Sequence, residues 1–234
     1  MKIKKTILKD FMKKALMSGE QKIGETILNF GPTGLKIDAN SITQQARTTS
    51  WLKKEAFKEY EEFGGVGMND LENFTKLLGR FGDNLEIMKA GNLLTIKSDS
   101  KKVDVELVAE NFLKTDTGEP KLEFDEVFNM PSKALKGIFE DAAMSEDCEI
   151  SIETKEKSTT FKNTGKYKFE NSINAPSCKG GAKVNFGKAL VSATCELDGN
   201  LEISVKTDYP IKVMEKTDNS IITIIVAPKI ESEK

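Results

Sequence analysis

The sequence predicts an α+β protein made of two similar domains, each with two helices packed on antiparallel β-sheets. The chain has 234 residues, enough for one or two domains with a sizeable core. Each half contains two helix-like stretches in the same order, and each stretch gives way to strand-like sequence. Most of the remaining sequence is rich in β-branched and aromatic residues or alternates between apolar and polar ones, as half-buried strands do.

The first helix-like stretch of each half is amphipathic. Its apolar residues follow the i, i+3, i+4, i+7 spacing of one helix face, which predicts helices over residues 8–18 and 135–145. Alternating sequence follows at residues 25–30 and 148–153 and predicts a strand after each helix.

A second helix-like stretch follows later in each half. Residues 70–80 and 183–193 predict helices, and strands are predicted to begin at residues 83 and 199. Two matching pairs in the same order indicate an internal duplication. A loop deletion between the two helices of the second half explains why that half is shorter.

A connecting loop is predicted between the two copies. Residues 111–121 are polar, contain Gly and Pro and show no sustained period. They separate an N-terminal domain over residues 1–110 from a C-terminal domain over residues 122–234. Further strands are predicted at residues 101–108, 166–170, 201–206, 211–215 and 220–226.

Composition and missing motifs argue against most catalytic classes. The net charge is −2, from 35 basic and 37 acidic residues, so the whole chain is not a polycation that coats nucleic acid. The chain has no histidine, which excludes Ser-His and Cys-His catalytic pairs and His-ligated metals. The glycine-rich residues 63–67 lack the lysine of a phosphate-binding loop. We therefore expect a protein that is not an enzyme and that needs no cofactor and no metal.

The cysteines and the apolar segments favour a soluble protein of a reducing interior. Cys148, Cys178 and Cys195 show no CxxC spacing, and at least one of them must stay unpaired. The most apolar run, residues 221–227, is too short to span a bilayer. The N-terminal lysines are not followed by an apolar segment, so no signal peptide is predicted.

Several short motifs along nearly the whole chain resemble those of a known family. The C-terminal sequence YPIKV at residues 209–213, followed by VAPKIE at 226–231, resembles the end of proliferating cell nuclear antigen (PCNA)-type sliding clamps. Three further motifs occur in the same order as in that family, and the length fits its archaeal, eukaryotic and viral two-domain members. These motifs are Phe57-x-x-Tyr60, Val66-Gly67-Met68 and Met130-Pro131-Ser132.

The resemblance implies a trimeric ring. Three subunits would close head to tail, with strands on the outside and helices around a hole that holds duplex DNA. By position, residues 102–108 of one subunit would pair with residues 166–171 of its neighbour. The interface residues expected on these strands are Lys102, Val103, Val105, Leu107, Lys166, Tyr167 and Phe169.

A ring that slides must hold phosphates without selecting bases, which calls for basic residues on the inner helix faces. The predicted helices carry more basic than acidic residues, although the whole chain is slightly acidic. The residues expected to face DNA are Lys9, Lys13, Lys14, Lys76, Arg80, Lys133, Lys136, Lys183 and Lys188.

The resemblance also implies a partner-binding pocket between the connecting loop, the C-terminal tail and the loop near residues 40–47. The last group is polar here, whereas family members usually carry apolar residues. This difference predicts weak binding of the usual partner peptide, or a variant of its motif. The expected pocket residues are Asn40, Gln44, Gln45, Arg47, Thr115, Glu119, Pro120, Lys121, Val226, Ala227, Pro228, Lys229 and Ile230.

The sequence as a whole predicts a DNA sliding clamp that tethers a DNA polymerase and other replication and repair proteins to double-stranded DNA. A homotrimer, a separate clamp loader and no active site or membrane contact are expected. The location would be cytoplasmic and nucleoid-associated in an archaeal or viral setting, or nuclear in a eukaryote. Alternatives are a subunit of a heterotrimeric or checkpoint-type clamp, a monomeric two-domain β-rich binding module unrelated to DNA, or an uncharacterised hydrolase, which the lack of histidine and of a nucleophile motif disfavours.

Overall fold

Four helices lie among seventeen strands in the part of the chain that the structure describes. The computed structural model describes residues 1–99, 101–113, 120–145, 148–163 and 166–229. The helices are α1 (Lys5–Ala15), α2 (Leu71–Leu78), α3 (Ser132–Ala143) and α4 (Lys188–Thr194). None of the helices within these ranges is long and apolar enough to cross a membrane.

The strands divide into nine before the connecting loop and eight after it. The first group is β1 (Lys2–Lys4), β2 (Thr26–Gly31), β3 (Gly34–Asn40), β4 (Ala46–Lys53), β5 (Phe57–Glu59), β6 (Gly64–Met68), β7 (Asn84–Ala90), β8 (Leu93–Ser98) and β9 (Lys101–Glu106). The second group is β10 (Glu126–Pro131), β11 (Ile150–Lys155), β12 (Ser158–Asn163), β13 (Phe169–Asn174), β14 (Lys183–Phe186), β15 (Asn200–Val205), β16 (Ile211–Lys216) and β17 (Ser220–Val226).

The strands form three antiparallel sheets, and one of them spans both halves. The five-stranded sheet has the order β5-β1-β7-β8-β9 and the four-stranded sheet the order β13-β12-β11-β14. The eight-stranded sheet has the order β10-β15-β16-β17-β4-β3-β2-β6. Its halves meet where β17 pairs with β4, with Ile222 opposite Ser50 and Ile224 opposite Thr48.

Amphipathic helices pack their apolar faces on this framework. In α1, Leu8, Phe11, Met12 and Ala15 are buried, which is the face that the sequence spacing predicts. Helix α2 is capped at its start by Asp70, whose side chain accepts a hydrogen bond from the Asn73 backbone N–H at 3.3 Å. The predicted fold class, helices on antiparallel sheets, is confirmed.

The two halves repeat the same order of elements, but they are not separate bodies. Each half has a strand followed by a helix (β1-α1 and β10-α3) and later a second strand followed by a helix (β6-α2 and β14-α4). A shared sheet and one apolar core join the halves. The domain boundaries at residues 110 and 122 therefore stay a prediction.

The structure corrects the fourth predicted helix. Residues 183–186 form strand β14, which pairs with β11, and α4 begins only at Lys188. Buried Val184 and Phe186 alternate with residues that are not buried, which is the period of a strand. Lys183 is therefore a strand residue rather than a helix residue.

The strand ends differ slightly from the prediction. Strand β9 ends at Glu106, so Leu107 follows it, and its backbone N–H donates to Asn92 O at 2.8 Å. Strand β13 begins at Phe169, so Lys166 and Tyr167 precede it.

Candidate functional site

A basic cleft lies between α1 and α2. Lys9 and Lys13 are one helical turn apart on α1, and Lys76 and Arg80 have the same spacing on and just beyond α2. All four line one cleft of about 810 Å³, whose apolar wall includes Met12 and other α1 residues. The cleft places four of the predicted DNA-binding residues together.

Ion pairs hold part of this cleft in place. Glu72 accepts from Lys76 Nζ at 2.6 Å and from Lys22 Nζ at 2.8 Å. Hydrogen bonds from Lys22 and Lys76 lower the pKa of Glu72 to about 2, so it stays ionised at neutral pH. Lys13 pairs with Glu196, whereas Lys9 and Arg80 are exposed and have no ion pair within the described residues.

Lys14 departs from the sequence prediction. It is only 7% exposed, and its Nζ lies 2.7 Å from Glu215 Oε1, 3.0 Å from Asp10 Oδ2 and 3.7 Å from Asp198 Oδ2. Burial lowers the pKa of Lys14, but hydrogen bonds to Glu215 and Asp10 outweigh that effect and raise it. The prediction that Lys14 lies exposed on the DNA-facing side of α1 is therefore wrong.

The remaining predicted DNA-binding residues are spread over the second half. Lys133 on α3 and Lys188 on α4 are exposed and have no ion pair among the residues that the structure describes. Lys136 lies 3.1 Å from Asp198 Oδ1, and Lys183, on β14, lies 3.6 Å from Glu153 Oε1.

The two strands predicted to join subunits are both outermost in their sheets. Strand β9 ends the five-stranded sheet and β13 ends the four-stranded sheet. Val103, Val105 and Phe169 are half-buried and pack against the core. Lys102, which is exposed, pairs with Asp104 at 2.9 Å.

Two exposed residues with large apolar surfaces, Met144 and Tyr167, lie beside β13, and the sequence predicted only Tyr167 as an interface residue. Tyr167 is 52% exposed, and Met144, just after α3, is 64% exposed. Ser145 joins the two segments because its Oγ donates to Tyr167 O and accepts from Tyr167 N, both at 3.4 Å. Met144 follows the last turn of α3, so the helical spacing gave no reason to single it out.

The C-terminal tail meets the loop between β3 and β4, as the predicted partner pocket requires. The Ala227 N–H donates to Gln45 O at 2.8 Å, and the Lys229 N–H donates to Asn185 O at 2.8 Å. Val226 is buried as the last residue of β17, while Pro228 is half-buried beside it.

Polar contacts order the loop that borders the tail. Buried Gln21 accepts hydrogen bonds from Ser41 Oγ at 2.8 Å and Thr43 Oγ1 at 2.7 Å, and its amide donates to Gln45 Oε1 at 3.2 Å. Gln44 is exposed and adopts the left-handed conformation, with φ of 60°. The buried Gln21 side chain therefore holds the loop in place, and the exposed side chain of Gln44 does not.

Arg47 is anchored within the sheet. Its Nη2 lies 2.8 Å from Asp38 Oδ1 and its Nε donates to the same oxygen at 2.9 Å, while Asn40 lies opposite it in register. Ile42, which is 62% exposed, is an apolar residue of this loop that the sequence pattern does not single out.

Of the connecting loop, residues 111–113, 120 and 121 lie within the described residues. Pro120 and Lys121 are exposed. The predicted pocket residues Thr115, Glu119 and Ile230 lie outside the described residues.

Comparisons with known proteins agree on the fold along the whole chain. No family model matches the sequence. A protein of Methanococcus maripaludis named DNA polymerase sliding clamp is 25% identical over 251 aligned residues, which cover 96% of this chain and 97% of that protein. The structure of A. fulgidus PCNA with the C-terminal region of FEN-1 matches with a TM-score of 0.85 and 19% identity, over 99% of this chain and 98% of that chain. The chain has the fold of a PCNA-type sliding clamp.

A second PCNA structure supports the same conclusion. PCNA of Entamoeba histolytica matches with a TM-score of 0.81 and 17% identity, over 98% of both chains. The resemblance to the clamp family that the sequence motifs predict is thereby confirmed at the level of the fold.

The buried position of Lys14 makes a prediction about stability. Lys14→Met leaves the Glu215 carboxylate buried without its partner, which should cost about 3–5 kcal/mol of unfolding free energy. Lys14→Met/Glu215→Leu removes both charges and should recover much of that loss. Urea unfolding of the three proteins measures these differences.

Lys13→Met is the matched control for Lys14→Met. Lys13 is the neighbouring lysine of the same helix, but it is more than half exposed in its pair with Glu196, so the loss should be about 1 kcal/mol or less. Equal losses for the two single variants would show that Lys14 carries no special structural role.

Proposed function

We propose that the chain is a DNA sliding clamp, a ring that encircles duplex DNA and tethers a DNA polymerase and other replication and repair proteins to it. It would act by encircling DNA and by binding partner proteins, without an active site of its own. A fold alone does not assign a function, so the proposal rests on three surfaces of this chain.

The observation that carries the proposal is the pair of outermost strands, β9 and β13. Among the described residues, each presents an unpaired row of backbone groups, which would invite aggregation unless another strand covers it. Pairing β9 of one subunit with β13 of the next covers both edges, and a head-to-tail contact of this kind gives a ring when its rotation closes. The exposed Met144 and Tyr167 lie beside β13 and would be buried in the same contact.

The helices supply the second surface. They lie together against the sheets, and exposed basic residues such as Lys9 and Arg80 point away from the core. Phosphate contacts through such side chains hold DNA without selecting a sequence. A duplex inside the ring is therefore the ligand that this surface fits best.

The tail and the loop at residues 41–45 supply the third surface. The archaeal PCNA structure named above holds the C-terminal region of FEN-1, which makes an extended partner peptide a reasonable ligand here. Such a peptide would pair with the backbone beside Ala227 and contact Ile42. Residues 111–121 would connect the two clamp domains at this pocket.

A sliding clamp works where chromosomal DNA is replicated. We therefore propose a cytoplasmic, nucleoid-associated location in an archaeal or viral setting, and a nuclear one in a eukaryote. Loading onto DNA would need a separate clamp loader.

The ring proposal predicts the mass of the purified protein and its response to one substitution. Light scattering should give three times 25.9 kDa for the wild type. Met144→Asp should weaken association by at least about tenfold, because it places a carboxylate in an apolar contact. Dilution series followed by light scattering measure both results.

Ile42→Asp is the matched control, since Ile42 is 62% and Met144 64% exposed in the single chain. It lies in the loop beside the tail, away from β9 and β13, and should leave the trimer intact. A wild-type monomer at micromolar concentration would contradict the homotrimer and leave a heterotrimer subunit or a monomeric binding module.

The polar pocket predicts weak binding of a consensus clamp-binding peptide. Because the exposed side chains of Gln44 and Gln45 must lose water against an apolar anchor, the dissociation constant should be about 1 μM or weaker. Gln45→Val/Arg47→Leu should strengthen binding by roughly tenfold. Titration calorimetry with one peptide measures both proteins.

Lys36→Leu controls for the change of a basic to an apolar residue, because Lys36 is an exposed residue of β3 that lies opposite Trp51, away from the tail. It should leave peptide binding as in the wild type. Nanomolar binding by the wild type, or unchanged binding after removal of residues 227–234, would show that the pocket lies elsewhere.

A further inference from the structure

The basic residues of the four helices are not distributed evenly between the halves. In the first half, α1 and α2 each present two basic residues one turn apart, and these pairs line the two sides of one cleft: Lys9, Lys13, Lys76 and Arg80. Lys22 reaches the same cleft from the chain between them. The acidic residues that line it, Glu72 and Glu196, are each held by lysines.

The helices of the second half carry a smaller net positive charge than those of the first half. On α3, Lys133 and Glu140 are both exposed and lie two turns apart on one face, a separation of about 10 Å along the helix axis. This distance is close to the screening length at 0.1 M salt, so Glu140 offsets only part of the attraction of Lys133 for a phosphate. Asp141 adds another exposed acid to α3, and Lys136 is paired with Asp198.

Helix α4 adds one basic residue. Lys188 is its only charged residue, because Glu196, which follows the helix, lines the first-half cleft and pairs there with Lys13. The first-half helices therefore offer a concave, net basic surface, whereas the second-half helices offer a nearly neutral one.

We propose that the DNA backbone is held by the α1–α2 clefts, one from each subunit, and that the α3–α4 faces contribute little. This inference rests on the proposed function, since it assigns the surfaces that face DNA inside the ring. A ring with three basic sectors separated by three nearly neutral ones would hold the duplex at three places around its circumference. The walls of each cleft would direct basic side chains from two helices toward one stretch of phosphates.

Two double variants with the same change of net charge test the proposal. Lys9→Ala/Arg80→Ala removes two exposed basic residues that have no ion pair within the described ranges of the first half. Lys133→Ala/Lys188→Ala removes two from the second-half helices. Each pair is compared with the wild type by fluorescence anisotropy of a labelled short duplex, with the full ring, at several salt concentrations.

The first pair should weaken binding far more than the second. At about 50 mM salt, each phosphate that a basic side chain neutralises is worth roughly tenfold in affinity, so Lys9→Ala/Arg80→Ala should bind at least about tenfold more weakly. Its plot of log affinity against log salt should also become shallower by about one unit for each phosphate no longer neutralised. Lys133→Ala/Lys188→Ala should bind less than about threefold more weakly and keep the wild-type slope.

Lys36→Ala/Lys216→Ala is the control for net charge alone, because both lysines are exposed on β3 and β16 rather than on the helices. It should bind DNA as the wild type does. Size-exclusion chromatography confirms that every variant remains assembled.

The outcomes separate this inference from the proposed function. If the two double variants weaken DNA binding equally, or if Lys133→Ala/Lys188→Ala weakens it more, the unequal contribution of the two halves is overturned. The proposal of a basic ring would still stand. A wild-type ring with no measurable, salt-dependent binding to the duplex would instead contradict the DNA-binding function itself.

Discussion

The pairing of β17 with β4 is the interaction on which the rest of the molecule depends. Strand β17 of the second half hydrogen-bonds to β4 of the first half along its whole length of seven residues. This pairing makes one eight-stranded sheet from two duplicated halves, and α1 and α4 both pack on the two paired strands. It also leads the tail directly from Val226 to the loop at Gln45, where Ala227 makes its hydrogen bond. Without it, the helical surface and the partner pocket would each be divided between two independent units.

A partly buried charge cluster supports the same junction on the helix side. Lys14 comes from α1, Glu215 from β16, and Asp198 joins them to Lys136 of α3. Glu215 also accepts a hydrogen bond from the Asp198 N–H at 2.6 Å, so both of its oxygens are occupied. Buried ion pairs of this kind add little net stability compared with apolar packing, but removing one partner is costly. The cluster therefore fixes how the halves meet, and it keeps Lys14 away from any ligand.

The sequence predicted elements well where a single period runs through them. The apolar spacing of α1 and α3 was enough to place those helices, and the β-branched residues of β17 were enough to place that strand. It failed at Lys183, because the alternating Val184 and Phe186 run into the apolar residues of α4 with only Gly187 between them. It also failed at Lys14, because helical spacing tells which residues lie off the apolar face but not that Glu215, 201 residues away, packs there. Met144 and Ile42 are single exposed apolar residues, and no pattern in the sequence distinguishes them from core positions.

The central claim is that the protein is held on DNA by encircling it, and topology tests this most directly. The protein is loaded onto a nicked circular plasmid by a clamp loader, and the DNA is separated from free protein by gel filtration in high salt. Screening weakens the phosphate contacts under these conditions, so only a closed ring should stay on the circle. A closed ring should remain on the circular plasmid and be released when a restriction enzyme cuts the plasmid once. Release from the intact circle in high salt, or retention after the cut, would contradict it.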